Sequence, residues 1–248
     1  MKRLPEKHRT RGLWIYFASR PSLSTEVLFL FPLALLYHLG TLFNGRLNGV
    51  DLVSMGLILL DRHWPEVTLG LEIAVLVGFM GLWWWARSRQ EFAWRNIGPV
   101  LAEAGLYAVS LGSLVVFLLV KVFHMEPPVM AGGVGSRGGW LDVVQVSAGA
   151  GLYEELVFRL ILFGGLVKLL VGKANWSKSG AMFTALAVSS LLFSAAHHWP
   201  GGEPFEVWAF AYRTLTGMLL GLIYWYRGLS VAAYTHAFYD VMVLGSAL

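Results

Sequence analysis

Gly151-Leu152-Tyr153-Glu154-Glu155-Leu156-Val157-Phe158-Arg159 sets two carboxylates and a guanidinium inside a stretch otherwise apolar enough to lie in a bilayer. Ionisable groups survive in hydrocarbon when they pair, face a bundle interior or line a wet cavity, so each is a functional-site hypothesis by default. On a helix Glu155 and Arg159 are four apart and share a face, whereas Glu154 points about 100° away from Glu155. One acid can therefore be tied up by the arginine while its neighbour stays available for chemistry. The Ser147-Ala148-Gly149-Ala150-Gly151 run just before them is small enough for another backbone to approach closely, which a neighbouring helix explains best.

The rest of the chain agrees with a membrane setting. Of 248 residues 56% are hydrophobic, only 14% are charged, 11 are Trp, and the mean hydropathy is +0.61. These values predict an all-α polytopic membrane helix bundle of about seven transmembrane helices plus short interfacial or re-entrant segments. With no cysteine there is no disulfide, no thiol nucleophile, no Cys-based zinc site and no S-acyl anchor. The net charge of +4 comes without a basic-aromatic surface pattern, so no nucleic-acid partner is expected. The partners expected are the lipid bilayer and a membrane-anchored protein or peptide substrate.

Spans are predicted over residues 23–43, 67–86, 99–123, 140–171, 180–198, 207–226 and 229–248. Residues 13–17 form an aromatic-apolar patch expected to lie at the interface, and residues 50–60, too short to cross, read as a re-entrant or interfacial piece. Trp83-Trp84-Trp85 is the aromatic belt where the second span leaves the bilayer. Near span ends, Glu72 and Glu103 are expected to snorkel or pair, and His38 to be a packed or interfacial histidine. Gly217 and Gly221 form a GxxxG packing face, and Arg213, a cation within the sixth span, is expected to find a carboxylate or the interface.

Seven crossings with the N-terminus inside place 13 of the 19 Lys and Arg in internal segments: six in the tail, three at 87–95, and Lys168, Lys173, Lys178 and Arg227. External loops hold only Arg46, Arg62 and Arg137, so the positive-inside rule is satisfied. The expected location is the cell membrane, with a basic cytoplasmic tail and no cleavable signal sequence.

Polar groups recur in the last spans as Phe193-Ser-Ala-Ala-His197-His198 and His236-Ala-Phe-Tyr-Asp240, the latter pair sharing one helical face. Glu154, Glu155, Arg159, His197, His236 and Asp240 lie on three helices, and buried groups this costly read as one constellation. There is no HExxH of an intramembrane zinc protease. Gly135-Ser136 lacks the GxSG pattern, and Tyr239-Asp240 has no GxGD partner. A metal site built from Glu154, His197, His198, His236 and Asp240 is compatible with ligand type but has no recognised ligand motif.

The order EExxxR, FxxxH, HxxxN/D resembles the CPBP family, the glutamic intramembrane endopeptidases that include the type 2 CAAX prenyl proteases and bacterial relatives. Here it reads Glu154-Glu155 with Arg159, Phe193 with His197, and His236 with Asp240. The resemblance implies three parts: a basic tail with interfacial segment at 1–22, motif-free membrane helices at 23–139, and CPBP-like catalytic helices at 140–248. It also implies metal-independent peptide hydrolysis without a cofactor. Glu154 with His197 would hold and deprotonate the attacking water, Glu155 and Arg159 would brace the site, and His236 and Asp240 would serve the oxyanion. Many relatives carry Asn where Asp240 stands. An ionised Asp cannot donate, so Asp240 must be protonated or else orient His236, and orientation is the expected role. The same fold resembles bacteriocin-immunity and scaffold proteins, and buried Glu, His and Asp also build proton or ion pathways, so a non-proteolytic or transport function stands as the alternative.

Overall fold

The computed structural model describes residues 22–44, 65–88, 96–126, 139–198, 203–246 and 248. Among them seven helices form and no strand. These are α1 (Leu23–Asn44), α2 (Pro65–Ser88), α3 (Ile97–Phe117, widening to π-helix over Leu118–Val122), α5 (Lys178–Ala196), α6 (Val207–Arg227) and α7 (Leu229–Gly245). Between α3 and α5 runs α4, which passes from Trp140–Gly149 through π-helical Ala150–Glu154 and Leu156–Gly164 into Gly165–Gly172. Each predicted span coincides with one helix. The interfacial patch at 13–17 and the short piece at 50–60 lie outside the described residues.

The molecule is a helical membrane bundle, but its helices are not equally apolar. Among the described residues three are long and apolar enough to cross a membrane: α3 with its extension (Ile97–Val122), α5 and α6. In α4 the charges of Glu154, Glu155, Arg159 and Lys168 dilute the run, and α7 is only 17 residues long; among the described side chains α1 and α2 contribute the apolar stretches Leu28–Phe43 and Ile73–Trp85. Charged helices of this kind are stable only where the bundle covers their polar faces.

Small residues set the close contacts. A Cβ on Gly149 would run into Tyr37 of α1, and one on Gly151 would come within 2.5 Å of the Ala233 carbonyl oxygen and 2.8 Å of the Ala237 Cβ on α7. The small run before the acid pair thus seats neighbouring helices, as expected. Likewise Gly217 meets Ser190 and Phe193, and Gly221 meets Leu186, so the GxxxG face of α6 packs on α5. One buried cluster joins Phe29, Leu33 and Tyr37 of α1, Val100 and Ala104 of α3, Leu152 of α4 and Val231, Ala233 and Ala237 of α7. The helices without motifs and those with them therefore share a core.

Arg213, Glu103 and His38 are paired, whereas the side chain of Glu72 lies outside the described residues. Arg213 Nη2 donates to Glu203 Oε2 at 2.5 Å. Glu103 takes a bidentate contact from Arg227, with Nε to Oε1 at 2.6 Å and Nη2 to Oε2 at 3.0 Å, and accepts from the Tyr107 hydroxyl at 2.9 Å. His38 is fully buried, with Nε2 2.5 Å from the Tyr153 hydroxyl oxygen.

Candidate active site

α4, α5 and α7 bring the motif residues together. Glu155 and Arg159, both essentially inaccessible, form an ion pair with Nε to Oε2 at 3.0 Å. The other oxygen of Glu155, Oε1, lies 2.8 Å from Nδ1 of His236 on α7. Glu154 faces the opposite side of that ring: its Oε2 is 3.9 Å from His236 Nε2 and 3.8 Å from Nε2 of His197 on α5. Two adjacent carboxylates thus bracket one imidazole, one at each nitrogen.

The tautomers follow from the partners. His197 Nδ1 is 2.9 Å from the Phe193 carbonyl oxygen, an acceptor only, so Nδ1 carries the proton and a neutral ring turns its Nε2 lone pair toward Glu154. At His236, Glu155 is committed as a carboxylate by Arg159, so Nδ1–H donates to it. Phe193 holds all three cationic or potentially cationic groups: the Arg159 guanidinium lies 4.4 Å from its ring centre, and the His197 and His236 rings meet it edge-on at 5.1 and 5.8 Å.

With this geometry in view, residues 136–242 match the family described as type II CAAX prenyl endopeptidase Rce1-like. No curated protein and no solved structure matches the chain. The match is to a family of endopeptidases, and it covers the segment that carries the three motifs.

All six expected residues meet at one place, although two details differ from expectation. Asp240 Oδ2 is 3.6 Å from His236 Nε2, and the carboxylate within hydrogen-bond distance of the ring is Glu155. Orientation of His236 therefore falls to Glu155, because the (i, i+4) step along α7 carries Asp240 to the Nε2 side, where Glu154 also lies. His198, offered as a metal ligand on residue type, turns away: its Nδ1 contacts the Glu203 carbonyl at 3.3 Å and its ring packs on Phe205 and Phe210. Among the described residues no three His, Asp or Glu side chains are grouped so as to hold a metal ion.

Three contacts around the site escaped sequence reasoning. Tyr153, next to Glu154, is the partner of His38, and Tyr212 of α6 bonds to Tyr239 beside Asp240. Glu26 of α1 reaches the start of α7. A single sequence carries no signal for such long-range pairs beyond the polarity of each member in an apolar helix.

Proposed function

We propose that this protein is an intramembrane endopeptidase that hydrolyses a peptide bond near the membrane anchor or C-terminal region of a membrane-attached protein, using water activated by Glu154. The observation that carries the reading is the position of Glu154 Oε2, nearly equidistant from two imidazole nitrogens on different helices. The carboxylate oxygen is an acceptor, as is His197 Nε2 in the tautomer protonated at Nδ1, and the two lie 3.8 Å apart. Water, with two protons to donate, is the small group that satisfies both.

In this mechanism the water oxygen attacks the scissile carbonyl carbon as its proton passes to Glu154. Charge develops on the carbonyl oxygen, which the imidazolium form of His236 stabilises through Nε2–H, with Nδ1–H fixed on Glu155. Asp240, on the same side of the ring, adds a second donor in its neutral form. Collapse of the tetrahedral intermediate breaks the C–N bond, and the proton held by Glu154 passes to the leaving amine. Arg159 and Phe193 touch no reacting atom; they hold Glu155 and the two rings.

The site suits a bond lying toward the Trp140 end of α4, because His197 caps the C-terminal end of α5 beside Glu154. With the N-terminus cytoplasmic that end is external, and protease protection of tags at Trp140 checks the orientation.

The test compares reconstituted wild type with Glu154→Gln and His197→Ala against a membrane-proteome substrate pool, read by terminal-peptide mass spectrometry with and without chelator. New peptide ends that vanish in both variants and persist with chelator support the reading. Loss on chelation moves the chemistry to a metal, and identical products from all three proteins move the function to scaffold or transport.

A further inference from the structure

The helices that carry no catalytic motif contribute two buried carboxylates, Glu26 and Glu103, and both converge on residues 227–230, the corner joining α6 to α7. Glu26 Oε1 accepts from the Leu229 amide at 3.1 Å and Oε2 from the Ser230 amide at 2.5 Å. These are first-turn N–H groups, which have no partner within their own helix, and a carboxylate there also meets the positive end of the helix dipole. Glu103 holds Arg227, the last residue of α6, through two charge-assisted hydrogen bonds. Between them Gly228 sits at φ +103°, where a Cβ would collide with the Glu26 carboxylate. Glycine thus supplies both the left-handed turn and the space for Glu26. One turn further along α7 the Tyr234 hydroxyl donates to the Phe29 carbonyl at 2.8 Å, tying α7 again to α1.

We propose that Glu26 and Glu103 are positioning residues for His236. They fix the depth and rotation of α7, and so hold the His236 ring between Glu155 and Glu154. His236 lies six residues beyond Ser230, about 9 Å along a single helix, so a shift at the corner is carried to the ring. Two further contacts make the ring sensitive to that shift: the 2.8 Å bond to Glu155, and the seam at Gly151, where the α4 and α7 backbones already touch. Glu26 acts on the helix terminus and Glu103 on the preceding residue, from different helices, so their loss displaces α7 in the same element by independent routes. The kinetic part of this proposal rests on the peptidase reading, and the spectroscopic part does not.

The experiment uses the full chain in lipid nanodiscs with ¹⁵N-labelled histidine, comparing wild type with Glu26→Gln, Glu103→Gln and Arg227→Lys. The expected result is that the His236 ring nitrogens shift in both glutamine variants while those of His197 stay in place. In the same variants kcat falls about tenfold or more with KM within about twofold, since an ångström of misplacement can cost about two orders of magnitude. Arg227→Lys, which keeps the charge opposite Glu103, retains most of the wild-type His236 spectrum and kcat. His236 spectra unchanged in folded Glu26→Gln and Glu103→Gln overturn the proposal, as does an equal disturbance of His197. Should Glu26→Gln fail to fold, Glu103→Gln with Arg227→Lys decides alone. If wild type cleaves nothing, the peptidase reading fails while the histidine spectra still decide the positioning role.

Discussion

Replacing Glu155 by Gln separates the two jobs of the acid pair. The substitution keeps the volume but leaves one carbonyl oxygen to serve two donors, Arg159 Nε at 3.0 Å and His236 Nδ1 at 2.8 Å, while its NH₂ turns a donor toward whichever partner it loses. Arg159 is 1% exposed, so the guanidinium cannot recover its hydration. Removing one member of such a buried pair costs about 3–5 kcal/mol. The Arg159 contact with Phe193 survives and Glu154 remains nearby, so we expect the low end, about 3 kcal/mol, or a fall in Tm of roughly 6–12 °C for a chain of this size. His236 also loses the carboxylate that holds its Nδ1–H and orients the ring, and a loss of about 10⁴ in kcat has precedent where the carboxylate partner of a catalytic histidine is replaced by an amide. Glu154→Gln should behave differently: its nearest imidazole nitrogen is 3.8 Å away, so activity is lost while Tm moves by less than about 3 °C. The assay is thermal unfolding in detergent alongside peptide cleavage on the same preparations. A Glu155→Gln protein with wild-type Tm and kcat within about threefold of wild type would refute the bracing role.

Three other outcomes follow from named contacts. Asp240→Asn should retain wild-type kcat or exceed it, since the amide donates where the neutral acid does, whereas Asp240→Ala should lose about two to three orders of magnitude; equal loss in both would return Asp240 to an ionised role. Phe193→Ala removes the ring that Arg159, His197 and His236 all touch, and should destabilise by about 3–5 kcal/mol in chemical unfolding, with Leu at the same position recovering packing but not the cation contact. Gly151→Leu drives a side chain into the Ala233 carbonyl and Ala237, so it should abolish activity and cost at least about 2–3 kcal/mol, whereas Gly165→Leu, with open space around its Cβ, should leave Tm within about 2 °C of wild type.

What was legible in the sequence was whatever depends on local pattern or on the cost of buried charge. The seven helices could be placed because apolar runs and their aromatic or basic ends are local. Glu154, Glu155, Arg159, His197, His236 and Asp240 could be gathered because each was too costly in an apolar helix to be incidental. The pairing among them was less visible. Asp240 and His236 share a helical face, which suggested that one orients the other, yet the ring is held from across the bundle by Glu155. The pattern leaves Arg213 either a carboxylate or the interface, and the structure gives it Glu203, outside the spans. Glu103 was expected to snorkel or pair, with Arg227 124 residues away unnamed. Such choices depend on helix rotation and depth, which a sequence encodes only through packing.

The backbone of α4 explains how one sequence step can place two acids on one ring. In an ordinary α-helix adjacent side chains diverge by about 100°, so Glu154 and Glu155 would address different neighbours. Here Ala150–Glu154 and Leu156–Gly164 are π-helical, flanking Glu155 on both sides. Bonding from i to i+5 widens the turn and reduces the rotation between successive residues, and such segments recur at functional sites. Both carboxylates then reach His236, Glu155 at Nδ1 and Glu154 on the Nε2 side, while Glu155 keeps its contact with Arg159 one turn on. The wide turn needs room, and Gly151 and Gly149 supply it against α7 and α1. The small run before the motif and the acid pair within it are therefore linked: close packing seats a π-helical segment at the depth where two carboxylates face one imidazole.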